Sequence, residues 1–137
     1  YGDHKPWLGY NNSAYQELCV NLDTSTEEGF YNYYGTRYLI WANDAAKEVL
    51  GRDFQGEGTA VSSCFLMNLL FDYVGWTGNA WTQATTDIWR EIPVLTSMGS
   101  YLRNGALTTE LDLEGQALLA QYRSLEYYYG THFQYGS

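Results

Sequence analysis

The fold prediction starts from the stretch GTRYLIWAND, residues 35–44. Its run of large, β-prone side chains at residues 38–41 is uninterrupted by polar residues, which is typical of a strand buried on both faces. We therefore predict a central strand at about residues 36–42. Asn43 or Asp44 should stop this strand and cap a short helix, which Gly51 would end.

Most of the remaining chain has helical spacing, with one hairpin signal. Asn104-Gly105, within residues 94–111, predicts the turn of a β-hairpin. The helical segments are, in order, NNSAYQELCVNL, TSTEEGF with a cap at Ser25 or Thr26, SSCFLMNLLFDYVG ending at Gly75, AWTQATTDIWREI ended by Pro93, and LEGQALLAQYRSLEYYYG. The predicted fold class is α/β, or α+β for this chain by itself, with a β-hairpin and a final helix.

Composition excludes some functions and favours others. The 137 residues carry 16 acidic and 7 basic side chains, a net charge of −9, which disfavours binding to nucleic acid. No apolar run is long enough to span a membrane. The 14 Tyr and 5 Trp suit a wet, partly apolar groove such as a carbohydrate site, although a Tyr-rich core and rim is the commoner arrangement. Cys19 and Cys64 are too few for a disulfide framework.

The segment DHKPW, residues 3–7, contains the candidate site residues. Asp3 and His4 supply a carboxylate oxygen and an imidazole nitrogen, a common pair of ligands for a divalent metal. Lys5 could offer its charge to a phosphate oxygen, and Trp7 could stack beneath a glycerol or a sugar. Each also has a plainer interpretation: a polar loop with a capping Asp, a solvated Lys, and a Trp packed against the loop.

A strand of the kind predicted at residues 36–42 needs neighbours on both edges, and this chain offers few. The sequence is therefore typical of the end of a larger α/β domain. Gly2-Asp3-His4, followed about 35 residues later by YLIWAN, then by IPVLTSMGSYL and the final EYYYG helix, resembles the C-terminal part of the sulfatase-like catalytic domains of bacterial lipoteichoic acid synthases, in the alkaline phosphatase superfamily. The similarity runs over nearly the whole chain, although Arg37 stands where the family has proline.

This resemblance implies a fold, a reaction and a location. It implies that residues 1–137 are the C-terminal portion of one alkaline phosphatase-like α/β sandwich, whose nucleophile and membrane spans lie upstream. It implies that the parent protein moves phosphoglycerol, or a related phosphoryl group, from a lipid-linked donor to a glycan or polymer acceptor, at the extracellular face of the bacterial cytoplasmic membrane. Transferase and hydrolase chemistry both stay open.

The resemblance also assigns residues. Asp3 and His4 would be metal ligands in the parent, for manganese or magnesium before zinc or calcium, and Lys5 and Trp7 are the candidates for substrate contact. No residue of this chain matches the catalytic nucleophile. By itself the chain should be soluble and inactive, with little or no bound metal, and dimeric more often than monomeric. The alternative function, suggested by composition alone, is a non-catalytic, aromatic-rich module that binds cell-wall glycan.

Overall fold

The computed structural model describes residues 5–53, 55–132 and 134. The chain divides into two compact units, Tyr1–Phe54 and Gln55–Ser137. Within the described residues the fold is mixed α/β, with six α-helices and one small antiparallel sheet of three strands. This confirms the mixed class predicted from the sequence. None of the helices in the described residues has the length and apolar character needed to cross a membrane.

The first unit contains three short helices, and the second contains three longer helices and the sheet. The helices are α1 (Ser13–Glu17), α2 (Glu27–Tyr34), α3 (Asp44–Leu50), α4 (Leu66–Val74), α5 (Ala80–Glu91) and α6 (Leu113–Thr131). The strands are β1 (Val94–Leu95), β2 (Tyr101–Arg103) and β3 (Ala106–Thr108). Short 3₁₀ turns, Tyr10–Asn12 and Ser63–Phe65, precede α1 and α4.

Local side-chain chemistry sets where several helices begin and end. Thr26 Oγ1 accepts a hydrogen bond from the Gly29 N–H at 3.1 Å, and Asn43 Oδ1 accepts one from the Ala46 N–H at 2.9 Å. These caps satisfy N–H groups that the first turn of a helix leaves unpaired. Gly51 ends α3 in the left-handed conformation, with φ of 63°. The predicted boundaries at these helices are confirmed.

The prediction of a central strand at residues 36–42 is wrong for this chain, because the segment pairs with no strand among the described residues. Without a partner, a β-prone sequence has no ladder of hydrogen bonds to hold it. The exposure of its side chains nevertheless alternates: Leu39 is 84% exposed and Trp41 76%, whereas Ile40 is half-buried and Ala42 buried. Residues 1–3, whose sequence is typical of the end of a strand that enters a loop, lie outside the described residues.

The predicted hairpin is confirmed. β2 pairs antiparallel with β3, with Arg103 opposite Ala106, and Asn104 and Gly105 form the turn with φ of 54° and 76°. Positive φ at both central residues is the geometry that matches the right-handed twist of the two strands. β1 adds a third strand on the other edge of β2.

The core of the second unit lies between α4, α5 and α6. Phe65 and Ile88 are fully buried, and Tyr122 of α6 packs its ring edge-on against Phe65 at 5.5 Å between centroids. A buried amide, Asn68, donates to the Thr82 carbonyl at 2.8 Å and to Thr85 Oγ1 at 3.1 Å. The Asn68 amide is therefore hydrogen-bonded, which avoids the cost of burying it unpaired.

One buried cation joins the sheet to two helices. Arg103, at the end of β2, is 7% exposed and pairs with the Glu91 carboxylate at the end of α5. Arg103 Nη1 makes that contact. Arg103 Nη2 lies 2.8 Å from a Glu114 oxygen and 3.4 Å from an Asp112 oxygen, both at the start of α6. We call these four residues the Arg103 cluster. It explains how a three-residue strand is held beside much longer helices.

Replacing Ile88 should destabilise the second unit strongly. Ile88→Ala removes a fully buried side chain from a close-packed core, so we expect a loss of about 2–5 kcal/mol in the free energy of unfolding. Urea unfolding followed by tryptophan fluorescence measures it. Leu113→Ala, at a position that is 86% exposed in α6, is the control and should change the free energy by about 0.5 kcal/mol or less. Equal effects would contradict this account of the core.

The Arg103 cluster should make stability depend on pH. The hydrogen bond from the Gly115 N–H has the largest effect and lowers the pKa of Asp112 in the folded chain; burial opposes it, and the Arg103 guanidinium lowers the pKa further. A carboxylate whose pKa is lower when folded contributes stability above its unfolded pKa of about 3.9, and this stability is lost as pH falls through the folded pKa.

Asp112→Asn keeps a capping side chain but cannot titrate. Its free energy of unfolding should therefore be lower than that of the wild type at neutral pH and fall less between about pH 5 and pH 2. Chemical unfolding at a series of pH values tests this. Asp87→Asn, an exposed position outside the Arg103 cluster, is the matched control for loss of one negative charge. A variant that loses as much stability in acid as the wild type would contradict the role of Asp112.

Candidate functional site

The structure describes the predicted substrate residues but not the predicted metal ligands. Asp3 and His4 lie outside the described residues. Lys5 and Trp7 are described, and both line a single groove in the first unit. Sequence reasoning therefore named two residues that share a concave surface, although it gave no reason for a groove at that place.

This groove, which we call the Trp7 groove, has a volume of about 340 Å³. That is within the range of small-ligand sites, about 300–1,000 Å³. Its lining residues are Lys5, Pro6, Trp7, Asn12, Tyr15, Leu22, Asn32, Tyr33 and Tyr34. Six of these nine residues carry an aromatic ring or a side-chain amide.

Two hydrogen bonds hold the first wall of the groove against α1. The Tyr15 hydroxyl donates to the Pro6 carbonyl at 2.9 Å, and the Ala14 N–H donates to the Leu8 carbonyl at 3.2 Å. Between them the chain turns at Gly9, where φ is 77° and a Cβ would lie 2.3 Å from Ser13 Oγ. Only glycine fits this turn without strain. The loop that carries Trp7 is therefore fixed to the helix that follows it.

The C-terminal end of α2 forms the second wall. Phe30 of α2 is 4% exposed, and its ring lies 5.1 Å from that of Tyr34. Tyr34 in turn contacts Tyr33 edge-on at 4.8 Å. These contacts hold two partly exposed tyrosines at the groove by packing them against a buried neighbour.

Hydrogen bonds to the Asp23 carboxylate also stabilise the turn before α2. The Asp23 carboxylate accepts hydrogen bonds from the Ser25 hydroxyl at 2.7 Å and from the Ser25 N–H at 3.0 Å. These bonds lower the pKa of Asp23, the hydroxyl contributing most. Asp23 does not line the Trp7 groove, so its role is to shape the entry into α2.

The groove is polar without being acidic. Among its described lining residues, Lys5 is the only one with a charged side chain. Within the part of the chain that the structure describes, the side-chain amides of Asn12 and Asn32 make no hydrogen bond. Both amides can therefore donate to and accept from a ligand.

No metal centre is formed by the residues that the structure describes. In residues 5–53 and 55–132, no group of three or more His, Cys, Asp or Glu side chains could hold a metal ion. Asp3 and His4 lie outside these ranges, so their predicted ligation stays a prediction. Cys19 is exposed, and burial raises the pKa of the half-buried Cys64 thiol next to Tyr122, which keeps that thiol protonated and unreactive.

A second groove, in the second unit, was not predicted. It lies between α4 and α5, has a volume of about 390 Å³, and includes Trp76. An ion pair between Arg90 and Asp72, with 3.4 Å between nitrogen and oxygen, lies in its wall. A third charged residue, the exposed Asp87, also lines this groove.

Sequence reasoning missed most of the lining of the Trp7 groove. Asn12 and Tyr15 were assigned only to a helical segment, and Asn32, Tyr33 and Tyr34 were not singled out. The available signal was the density of tyrosine in EEGFYNYY, where one aromatic residue, Phe30, is buried and the others reach the surface. Comparisons with family models, with curated proteins and with solved structures found no match to this chain.

Removing the Tyr15 hydroxyl should loosen the loop that carries Trp7. Tyr15→Phe deletes the hydrogen bond to Pro6, worth about 0.5–1.5 kcal/mol, so local opening should increase about two- to tenfold. Brief chymotrypsin digestion, with cleavage after Trp7 followed by mass spectrometry, measures this opening. Tyr10→Phe, at a site that is 87% exposed, is the matched control and should be cleaved like the wild type. Equal rates in both variants would contradict the anchoring role of Tyr15.

Proposed function

We propose that this chain is the C-terminal part of a metal-dependent, sulfatase-like phosphoglycerol transferase of the alkaline phosphatase superfamily. In this proposal the parent protein acts at the extracellular face of the bacterial cytoplasmic membrane, on a lipid-linked phosphoglycerol donor and a glycan or polymer acceptor. The observation that carries the proposal is the exposure of Leu39 and Trp41 within the apolar run at residues 38–42, in a chain that also contains Gly2-Asp3-His4.

The exposed side chains of this run are difficult to explain in a domain that needs no further strands. Leu39 and Trp41 are more than three-quarters exposed, yet they belong to a continuous β-prone sequence. Burying Trp41 would contribute on the order of 3 kcal/mol. Exposed β-prone runs of this kind are surfaces that pair with other strands. The proposal supplies those strands, because residues 38–42 would complete the sheet of an alkaline phosphatase-like α/β sandwich.

The order of motifs supports the same interpretation. In such a sandwich, ligands lie beyond the carboxyl ends of the strands, which is where the resemblance places Asp3 and His4. Carboxylate and imidazole ligands suit manganese or magnesium, and a bound dication would neutralise charge on the phosphoryl oxygens. The nucleophile, the remaining ligands and the membrane spans belong to the rest of the proposed parent. Lys5 and Trp7 follow the ligand pair directly and line the Trp7 groove.

Asp3→Ala in the intact protein tests the proposal. Losing the carboxylate removes a ligand and a negative charge from a dication site, so turnover should be abolished and metal affinity lowered with the fold unchanged. His4→Ala should behave similarly, with partial rescue by excess metal, since water replaces a neutral ligand more readily. Turnover of phosphatidylglycerol with titrated manganese, and calorimetry of metal binding, provide the measurements.

The matched control is Asp44→Ala, which removes an exposed carboxylate at the start of α3. It should leave both turnover and metal affinity unchanged. Full activity and unchanged manganese affinity in Asp3→Ala would contradict the assignment of the metal site and, with it, the proposed function.

A further inference from the structure

We propose that the Trp7 groove binds a neutral oligosaccharide, with one sugar ring stacked on Trp7. The inference concerns residues 5–34 alone. It does not rest on the proposed phosphoglycerol transfer, because it involves neither a metal nor a nucleophile. Three properties of the groove carry it: an exposed aromatic face, amides open to a ligand, and the absence of carboxylates from its described lining.

The first property is the aromatic surface. Trp7 is 73% exposed, although it lies in a concave groove, and Tyr33 and Tyr34 line the same groove at 38% and 39% exposure. A sugar ring has an apolar face of C–H groups and an equatorial rim of hydroxyls. An indole or phenol ring matches such a ligand because its face is apolar while its N–H or O–H group can form hydrogen bonds.

The second property is unused hydrogen-bonding capacity. Each side-chain amide of Asn12 and Asn32 supplies two donors and one acceptor oxygen, and neither is engaged within the described residues. The hydroxyls of Tyr33 and Tyr34 are also unengaged there. Sugar hydroxyls both donate and accept, so they can pair with all of these groups. A purely apolar ligand would leave them unpaired, at a cost in affinity.

The third property is charge. The whole chain carries a net charge of −9, but the described lining of this groove contains no Asp or Glu and one cation, Lys5. A cationic ligand would meet no carboxylate in this described lining. A polyanion would meet a single Lys on a strongly acidic protein, which is too little to hold it. A neutral glycan is the ligand that fits this lining.

The groove is also built before any ligand arrives. The Tyr15 hydroxyl fixes the loop through Pro6, and buried Phe30 holds Tyr34. A site whose side chains are already placed loses less conformational entropy on binding. These fixed walls distinguish the Trp7 groove from a surface on which aromatic residues are merely exposed.

The test uses the full 137-residue chain and two soluble probes, cellohexaose and chitohexaose. Isothermal calorimetry at millimolar sugar should detect binding of at least one probe. Trp7→Ala should weaken this binding by about tenfold or more. Asn12→Gly, which retains the left-handed backbone at φ of 59° but lacks the amide, should weaken it by about threefold.

Trp41→Ala is the matched control, because Trp41 is 76% exposed in the same unit and does not line the groove. It should bind as the wild type does, and circular dichroism should show all variants folded. Binding should not change between low and high salt, since the ligand is neutral. No binding of either probe, equal loss in Trp7→Ala and Trp41→Ala, or binding that salt abolishes would each overturn the proposal. None of these results depends on phosphoryl transfer.

Discussion

The need of every strand for a partner is the constraint on which this structure depends. Residues 101–108 satisfy it locally, because a two-residue turn brings β2 and β3 together within one short segment. Residues 38–42 have the stronger β-prone sequence but no strand beside them among the described residues. As a result, the sheet among the described residues is small and is built on one hairpin. The most apolar β-prone run of the chain leaves large side chains in solvent.

The same contrast explains how much of the fold the sequence could predict. Helix boundaries depend on residues a few positions apart, such as Thr26 with Gly29, so local patterns predicted them correctly. The hairpin was predictable for the same reason. The central strand was not, because its formation depends on partners far away or outside the chain. A local pattern records which conformation a segment prefers, but it does not show whether the partners are present.

Buried polar groups were equally hard to foresee. Arg103 follows Leu102 in an ordinary hairpin strand, and its sequence context gives no sign that three carboxylates from two helices surround it. All three carboxylates remain partly in solvent, so the cluster avoids the full cost of burying opposite charges together. Its main effect is geometric: it sets the position of the sheet relative to the ends of α5 and α6.

The candidate site combines a predictable part with an unpredictable one. Lys5 and Trp7 stood out by residue type, whereas the opposite wall depends on the way α2 packs Phe30 and exposes Tyr33 and Tyr34. The two proposals meet at this loop, since Asp3 and His4 directly precede it in the sequence. If both proposals hold, an acceptor glycan on Trp7 would be carried by the same short segment as the metal ligands.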